Sequence, residues 1–231
     1  MVVDPDTQKR LAAEAAALLV EDGMLLGFGT GSTAAHFVRA VASLTKVGIS
    51  VKGVPTSEAT ASLMREVGIP VLTLADIAAL DLAVDGTDES DPDLALIKGG
   101  GAAHLREKVV ARCAKRFVVI ADGSKLVPVL GRFKLPVEVV PFALPAVERE
   151  LVRLGATVTL RKNKSGEIVR TDNANVVLDA DFYPIPHPAE LAAKLDTIPG
   201  IAEHGLFVGM TERLILGMPD GSVQTVFPRV R

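Results

Sequence analysis

The chain has 231 residues, of which 48% are hydrophobic, and a formal net charge of −3 at pH 7. This length suits one domain, or a main domain with a small companion, and it is sufficient to bury a core. The mild acidity gives no reason to expect a nucleic acid or a membrane surface as a partner, so a bound anion must be held by a local site.

Cysteine content and the N-terminal segment bear on the compartment. Cys113 is the single cysteine of the sequence, which excludes an internal disulfide and fits a reducing compartment. The first ten residues are polar and charged, unlike a signal peptide, and no apolar run reaches the roughly 18 residues that a spanning helix needs. We therefore expect a soluble, cytoplasmic protein.

The first half of the chain alternates predicted helices and strands. The predicted helices begin at Asp4 or Asp6, after residues 29–33, at Ser57 and at Gly101, and the first has Gly23 as a natural stop. The predicted strands are residues 24–28, 49–54, 71–74, 82–84 and 117–121. Because these strands show no polar alternation, they predict a mostly parallel, doubly wound sheet that helices cover on both faces.

The second half shows a different order of elements, β-α-β-β-α-β, which is the ferredoxin-like arrangement. Its predicted elements are strand 137–140, helix 146–154, strands 157–160 and 176–180, helix 188–195 and strand 201–204. The tail predicts two strands, 213–217 and 223–227, that return to the first sheet. We therefore predict a Rossmann-like domain over residues 1–128 plus 206–231 and a ferredoxin-like α+β domain over residues 129–205.

A loop rich in glycine and hydroxyl residues, Gly29 to Thr33, lies between the first strand and the second helix. Free N–H groups and the dipole of the following helix make this an anion site, most simply for a phosphate. The alternative is a tight turn with a Ser or Thr cap. A dinucleotide is disfavoured because residues 54–57, which end the second strand, lack an acidic residue, and the loop lacks the lysine of a P-loop.

Carboxylates follow the apolar strand 82–84, in the segment Asp85 to Glu89. Ligands of doubly wound sheets bind at the carboxyl ends of the strands, so Asp85 and Asp88 are placed for chemistry. The alternative is an ordinary turn of Asp and Gly residues. We favour that alternative only for residues 91–93.

The run Lys98 to Gly101 contains three consecutive glycines, which lose much conformational entropy on folding. Such a run is expected where the backbone must approach a ligand closely or adopt positive φ. Its N–H groups and the Lys98 cation could stabilise an oxyanion. Glu107 shares a helix face with residues 100 and 103, although a solvated charge cluster with its neighbours is the usual state of such a triplet. Lys125, after strand 117–121, could contact a phosphate or a sugar hydroxyl, or it could be a surface lysine.

Together these segments resemble the A-type ribose-5-phosphate isomerase family. The matching motifs are residues 30–33, 85–89, 98–103 with 106–108, and 121–125, joined by residues 135–139 and 171–175. The resemblance implies that Glu107 is the catalytic base, and we expect Asp85 and Lys98 to assist it. It implies as substrate-binding residues Thr30, Gly31, Ser32, Thr33, Asp85, Gly86, Thr87, Asp88, Lys98, Gly99, Gly100, Gly101 and Lys125. The role of residues 55–60 stays open.

The expected function is the interconversion of ribose 5-phosphate and ribulose 5-phosphate through an enediolate. The resemblance also implies a phosphosugar as partner, no cofactor, no metal, and a homodimer or dimer of dimers. The sequence has four scattered histidines without metal-ligand spacing: His36, His104, His187 and His204. One alternative is a sugar-phosphate sensor domain, which is disfavoured because the single helix before the first strand leaves no room for a DNA-binding unit. The other alternative is a nicotinamide oxidoreductase.

Overall fold

The computed structural model describes residues 2–229 and builds three β-sheets from them. The helices are α1 (Pro5–Ala17), α2 (Ser32–Thr45), α3 (Glu58–Glu66), α4 (His104–Arg112), α5 (Leu144–Arg153) and α6 (Pro188–Leu195). The strands are β1 (Leu25–Phe28), β2 (Lys52–Pro55), β3 (Leu82–Gly86), β4 (Glu89–Ser90), β5 (Leu96–Ile97), β6 (Phe117–Asp122), β7 (Leu135–Val139), β8 (Thr157–Leu160), β9 (Val176–Asp181), β10 (Ile201–His204), β11 (Leu206–Phe207), β12 (Arg213–Gly217) and β13 (Val223–Val226).

The largest sheet has six strands in the order β13-β12-β6-β3-β1-β2, parallel except for the β12–β13 pair. Its central strands are buried on both faces. Leu82 and Val84 of β3 pack into the core under α1 and α2, whereas Ala83 packs into the core that contains Val110 of α4. The prediction of a doubly covered, mostly parallel sheet is confirmed, as is the return of the tail to it.

The second sheet is antiparallel, with four strands in the order β10-β7-β9-β8. Numbered within its own unit, this order is 4-1-3-2, and α5 and α6 connect the strands as the ferredoxin-like arrangement requires. Val147 and Leu151 of α5 and Leu195 of α6 share one core with the sheet. The predicted ferredoxin-like unit is confirmed, while its bounds as a domain stay a prediction.

A third sheet of three short strands, β11-β5-β4, was not predicted. It joins the two larger sheets near Lys98. The N–H of Lys98 donates to the carbonyl of Gly205, and the N–H of Gly205 donates to the carbonyl of Pro136 in β7. The backbone of Lys98 is thus linked through Gly205 to the four-stranded sheet.

Three predicted elements differ in the structure. Residues 71–74 form no strand, because a capping box between Thr73 and Asp76 starts a short 3-10 helix there. The fourth helix begins at His104, not at Gly101, because Ala102 has a φ of 58°, which an α-helix cannot contain. The first helix ends at Ala17, before Gly23. No described helix has the length and apolar composition that crossing a bilayer requires.

Candidate active site

A cleft of about 150 Å³ opens at the carboxyl ends of β1, β3 and β6. Its lining includes the loop 29–33, the end of β3, the glycine turn (residues 99–101) and the segment after β6. The lining contains Glu107 and every predicted substrate-binding residue except Asp85. Asp85 is 3% exposed and lies beneath Lys98, so the structure does not place it on the cleft surface.

One end of the cleft is suited to an anion. Gly31, with φ of 106°, leads into α2, and no described side chain caps the start of that helix, so its first N–H groups stay available. Lys125 lines the same cleft. Lys9 of α1 lines it too, with Nζ 3.1 Å from Oγ of Ser32. Two cations and a helix N-terminus thus converge on a small volume.

Lys9 is a lining residue that was not predicted from the sequence. The only sequence signal for it is its place in the first helix, where a half-buried lysine is ordinary. Its approach to Ser32 arises because α1 packs along α2, a tertiary contact between elements that the sequence pattern does not pair.

The other end of the cleft holds three buried charged side chains. Nζ of Lys98 lies 3.0 Å from Oδ2 of Asp85 and 3.3 Å from Oε2 of Glu107, and it donates to the carbonyl of Gly86 at 2.5 Å. Beyond that ion pair, Oε2 of Glu107 accepts no hydrogen bond from any described residue. This oxygen is buried against the Lys98 ammonium, while the Glu107 residue as a whole contributes to the cleft lining.

Burial governs the acid-base properties of this group. It raises the pKa of Glu107 to about 8, with the negative charge of Asp85 adding to the rise and Lys98 opposing it. Burial also raises the pKa of Asp85, again against the attraction of Lys98. Burial alone would lower the pKa of Lys98, but the two carboxylates outweigh it and raise that pKa. Lys98 therefore stays cationic beside the two carboxyl groups.

The neighbours of Glu107 point away from the cleft. Arg106 donates to Glu58 of α3 and to Oδ1 of Asn173, and Lys108 donates to Glu203 and to the carbonyl of His204. The Arg-Glu-Lys triplet is thus no solvated cluster: each side chain has its own direction, and only Glu107 lines the cleft.

Asp88 and the glycine turn are joined at the cleft rim. The N–H of Gly100 donates to Oδ2 of Asp88 at 2.7 Å. A glycine is required at position 99 for two reasons. Its φ of 105° is in the left-handed region, and a Cβ there would lie 2.6 Å from the His104 ring. Burial lowers the pKa of His104 to about 3, so its fully buried ring is neutral packing against the turn.

The family model described as Ribose 5-phosphate isomerase A (phosphoriboisomerase A) matches residues 52–221. The chain belongs to this family. A relative of that name from Chloroflexus aurantiacus is 50% identical over 219 residues, which cover 94% of this chain and 92% of the relative. A second, from Sinorhizobium fredii, is 49% identical over 226 residues, covering 95% and 97%.

Solved structures agree with this membership. A D-ribose-5-phosphate isomerase in complex with phospho-erythronic acid has a TM-score of 0.94 and 39% identity, over 97% of this chain and all of that one. Ribose 5-phosphate isomerase A from Neisseria gonorrhoeae has a TM-score of 0.92 and 36% identity, over 100% of both chains. The family membership supports an isomerase, not the sensor or oxidoreductase alternatives.

The segment 55–60, whose role the sequence left open, supports the end of the cleft that is suited to an anion. Oγ1 of Thr30 lies 2.7 Å from that of Thr56, 2.8 Å from Oγ of Ser57 and 3.2 Å from Oγ1 of Thr60. Thr60 also donates to the carbonyl of Gly29. This hydroxyl cluster fixes the loop 29–33 from below, and nothing in the sequence paired these residues.

One described group of side chains has metal-ligand spacing: Asp196, Glu203 and His204. It shares no residue with the isomerase cleft. Nε2 of His204 lies 3.0 Å from Asp196, and Glu203 already accepts a hydrogen bond from Lys108. Among the described residues, no histidine lines the cleft.

Proposed function

We propose that the chain interconverts D-ribose 5-phosphate and D-ribulose 5-phosphate at this cleft, with Glu107 as the base. The observation that carries the proposal is a buried carboxylate 3.3 Å from a buried ammonium, in a cleft whose other end is suited to a phosphate. One carboxylate positioned over two adjacent carbons can remove a proton from one of them and return it to the other.

The reaction moves one proton between carbons and one between oxygens. Glu107 removes the proton from C2 of the open-chain aldose, leaving an enediolate with negative charge on O1. It then returns a proton to C1, while the proton of O2 passes to O1 and a carbonyl forms at C2. No atom is gained or lost, so no oxidant or co-substrate is needed.

Lys98 and the N–H groups of the glycine turn are proposed to stabilise the enediolate oxygens, because preorganised donors act most strongly where negative charge develops. Asp88 lines the cleft and is proposed to handle hydroxyl protons, including those of ring opening. Asp85, beneath Lys98, is proposed chiefly to keep that lysine charged. The loop 29–33, Lys9 and Lys125 are proposed to hold the phosphate.

The deciding experiment is to incubate the protein with ribose 5-phosphate in D₂O and analyse the product. We expect ribulose 5-phosphate, with deuterium at C1 in part of it, because a proton held by Glu107 exchanges with solvent. Ketose without deuterium, together with loss of activity in EDTA, would indicate a metal-assisted hydride shift and contradict the base mechanism. Binding of the sugar without any ketose would favour the sensor alternative.

Assembly and compartment are further parts of the proposal. We propose a homodimer or dimer of dimers, supported by the side chain of Phe142, which is 96% exposed in a protein rich in buried apolar residues. Light scattering after size exclusion tests it, and a monomer at micromolar concentration would contradict it. We propose a cytoplasmic location, supported by a single cysteine that can form no internal disulfide.

A further inference from the structure

Arg161 follows directly on β8 in the four-stranded sheet and contacts the glycine turn, about sixty residues earlier in the chain. Its Nη1 donates to the carbonyl of Gly99 at 2.7 Å and to that of Gly100 at 3.1 Å. The guanidinium itself is not part of the cleft lining. A cation from the ferredoxin-like unit thus holds the outer side of the turn whose inner side lines the cleft.

Asp179 of β9 fixes the orientation of this guanidinium. Nε of Arg161 donates to Oδ2 of Asp179 at 3.0 Å, and Nη2 donates to Oδ1. The two side chains are only 13% and 21% exposed. A bidentate ion pair between a guanidinium and a carboxylate fixes the orientation of the guanidinium plane. The remaining nitrogen, Nη1, is therefore directed at the glycine turn.

The contact determines which way the peptide groups of the turn face. In a trans peptide the carbonyl and the N–H point to opposite sides. Because Arg161 holds the carbonyl of Gly100, the N–H of Gly101, in the same peptide, points away from the guanidinium. Gly101 lines the cleft, which agrees with an N–H directed to the cleft side.

A glycine turn needs such a clamp. Without Cβ atoms, rotation of a whole peptide group between glycines meets little steric resistance. The neighbouring peptide is already held at both ends, since the carbonyl of Gly99 accepts from Arg161 and the N–H of Gly100 donates to Asp88. For the peptide between Gly100 and Gly101, the guanidinium is the contact that fixes the carbonyl.

We propose that Arg161 is a positioning residue for the isomerisation: clamped by Asp179, it holds the glycine turn with the Gly101 N–H facing the enediolate oxygen. This rests on the proposed function. The competing explanation is an ion pair that merely joins two parts of the fold. The two differ in what they predict, because a clamp on an oxyanion donor affects the transition state, whereas a structural pair affects only unfolding.

The test compares Arg161→Met, Arg161→Lys and Asp179→Asn with the control Arg116→Met. Arg116 also forms a bidentate ion pair, with Glu212. This pair lies at the amino ends of β6 and β12, whereas the cleft lies at the carboxyl ends of the strands. The measurements are kcat and KM for ribose 5-phosphate, inhibition constants of phospho-erythronic acid and inorganic phosphate, and Tm. Phospho-erythronic acid presents a carboxylate where the enediolate oxygens would form, whereas phosphate probes only the other end of the cleft.

Removing one oxyanion donor typically lowers kcat by roughly 10²–10³-fold, and loss of orientation costs part of that. We expect kcat to fall about 10–100-fold in Arg161→Met, with a similar weakening of phospho-erythronic acid and at most about twofold change for phosphate. Asp179→Asn should show a smaller loss of the same kind. Arg161→Lys should recover part of the Arg161→Met loss, and Arg116→Met should keep kcat.

A kcat within about twofold of wild type in Arg161→Met, with only Tm lowered, would overturn the proposal. If Arg161→Met does not fold, Asp179→Asn decides: a kcat loss above about threefold supports the clamp, and an unchanged kcat overturns it. Failure of the proposed function is seen separately, because it would appear as absence of ketose with the wild-type protein.

Discussion

Nζ of Lys98 and Oε2 of Glu107 lie 3.3 Å apart, with both side chains less than 5% exposed. Asp85 lies against the same ammonium, so one buried cation faces two buried carboxylates. The desolvation cost of burying charged groups can exceed the attraction within the ion pairs that they form. Here one negative charge also stays uncompensated when all three groups ionise. This arrangement is unfavourable for folding and suited to holding a base in readiness.

Glu107→Gln should abolish most of the activity while preserving binding. Loss of a general base typically lowers the rate about 10²–10⁴-fold, and the amide keeps the shape of the side chain. We expect kcat to fall by at least that order, with the inhibition constant of phospho-erythronic acid little changed. Glu148→Gln, at an exposed position, is the control. A Glu107→Gln enzyme with near-normal kcat would remove Glu107 from the mechanism.

The same substitution should stabilise the fold at alkaline pH. Because burial raises the pKa of Glu107 to about 8, from an ordinary value near 4.5, the folded state binds more protons than the unfolded state between these values. Wild-type stability therefore falls as pH rises through that window. Glu107→Gln has no such proton to lose, so its Tm advantage should grow from pH 5 to pH 8.5.

For a chain of this size, Tm rises by roughly 2–4 °C for each kcal/mol of destabilisation relieved. Thermal unfolding of Glu107→Gln and Glu148→Gln across that pH range provides the check. A Tm difference between Glu107→Gln and wild type that stays constant or shrinks towards alkaline pH would contradict the predicted burial of a protonated carboxyl.

Lys98→Met should lower kcat more than it weakens ground-state binding. The cation is proposed to act on charge that develops only in the enediolate, and such donors contribute roughly 10²–10³-fold. Steady-state kinetics separates the two effects, with Lys115→Met as a surface control, since Lys115 is 68% exposed beside Asp81. An effect confined to KM would assign Lys98 a plain binding role.

Lys9 and Lys125 should act on KM. A hydrogen bond to a charged group contributes roughly 1.5–3 kcal/mol when well placed, and these lysines are half-buried, so the lower end applies. Lys9→Met and Lys125→Met should each raise KM about tenfold, weaken inhibition by inorganic phosphate similarly and leave kcat nearly unchanged. Lys52→Met, at an exposed position, is the control. Unchanged phosphate inhibition in both variants would place the phosphate elsewhere.

Chelation should leave the reaction intact. A proton transfer by Glu107 needs no Lewis acid, and the described Asp196, Glu203 and His204 group lies outside the cleft. We expect the same initial rate with and without prior incubation in EDTA. Loss of activity that a divalent cation restores would replace the base mechanism with a metal-assisted one.

Much of the fold could be predicted because its signals are local. Apolar runs such as residues 117–121 are buried on both faces, and the order of elements after residue 135 specifies the ferredoxin-like unit. Residues at strand ends and in glycine runs gather in the cleft as their positions predict. The error at residues 71–74 is also local: the capping box of Thr73 and Asp76 was overlooked.

What could not be predicted depends on packing between distant segments. Lys9 reaches the cleft because two helices pack together, and Arg161 reaches the glycine turn from another sheet. The hydroxyl cluster joins Thr30 to residues 56–60 across two strand ends. Such residues are ordinary in their own sequence neighbourhoods, so no pattern within those neighbourhoods distinguishes them.

Gly205 limits how this enzyme could be recombined. Its N–H donates to the carbonyl of Pro136, and its carbonyl accepts from the N–H of Lys98. A Cβ at this position would overlap the Lys98 carbonyl. A chimaera that grafts the four-stranded sheet of a distant homologue would thus displace the Lys98 ammonium unless the donor also has a glycine at this position. Exchange of segments within the family should therefore cut elsewhere, leaving residues 96–98 and 204–206 from one parent.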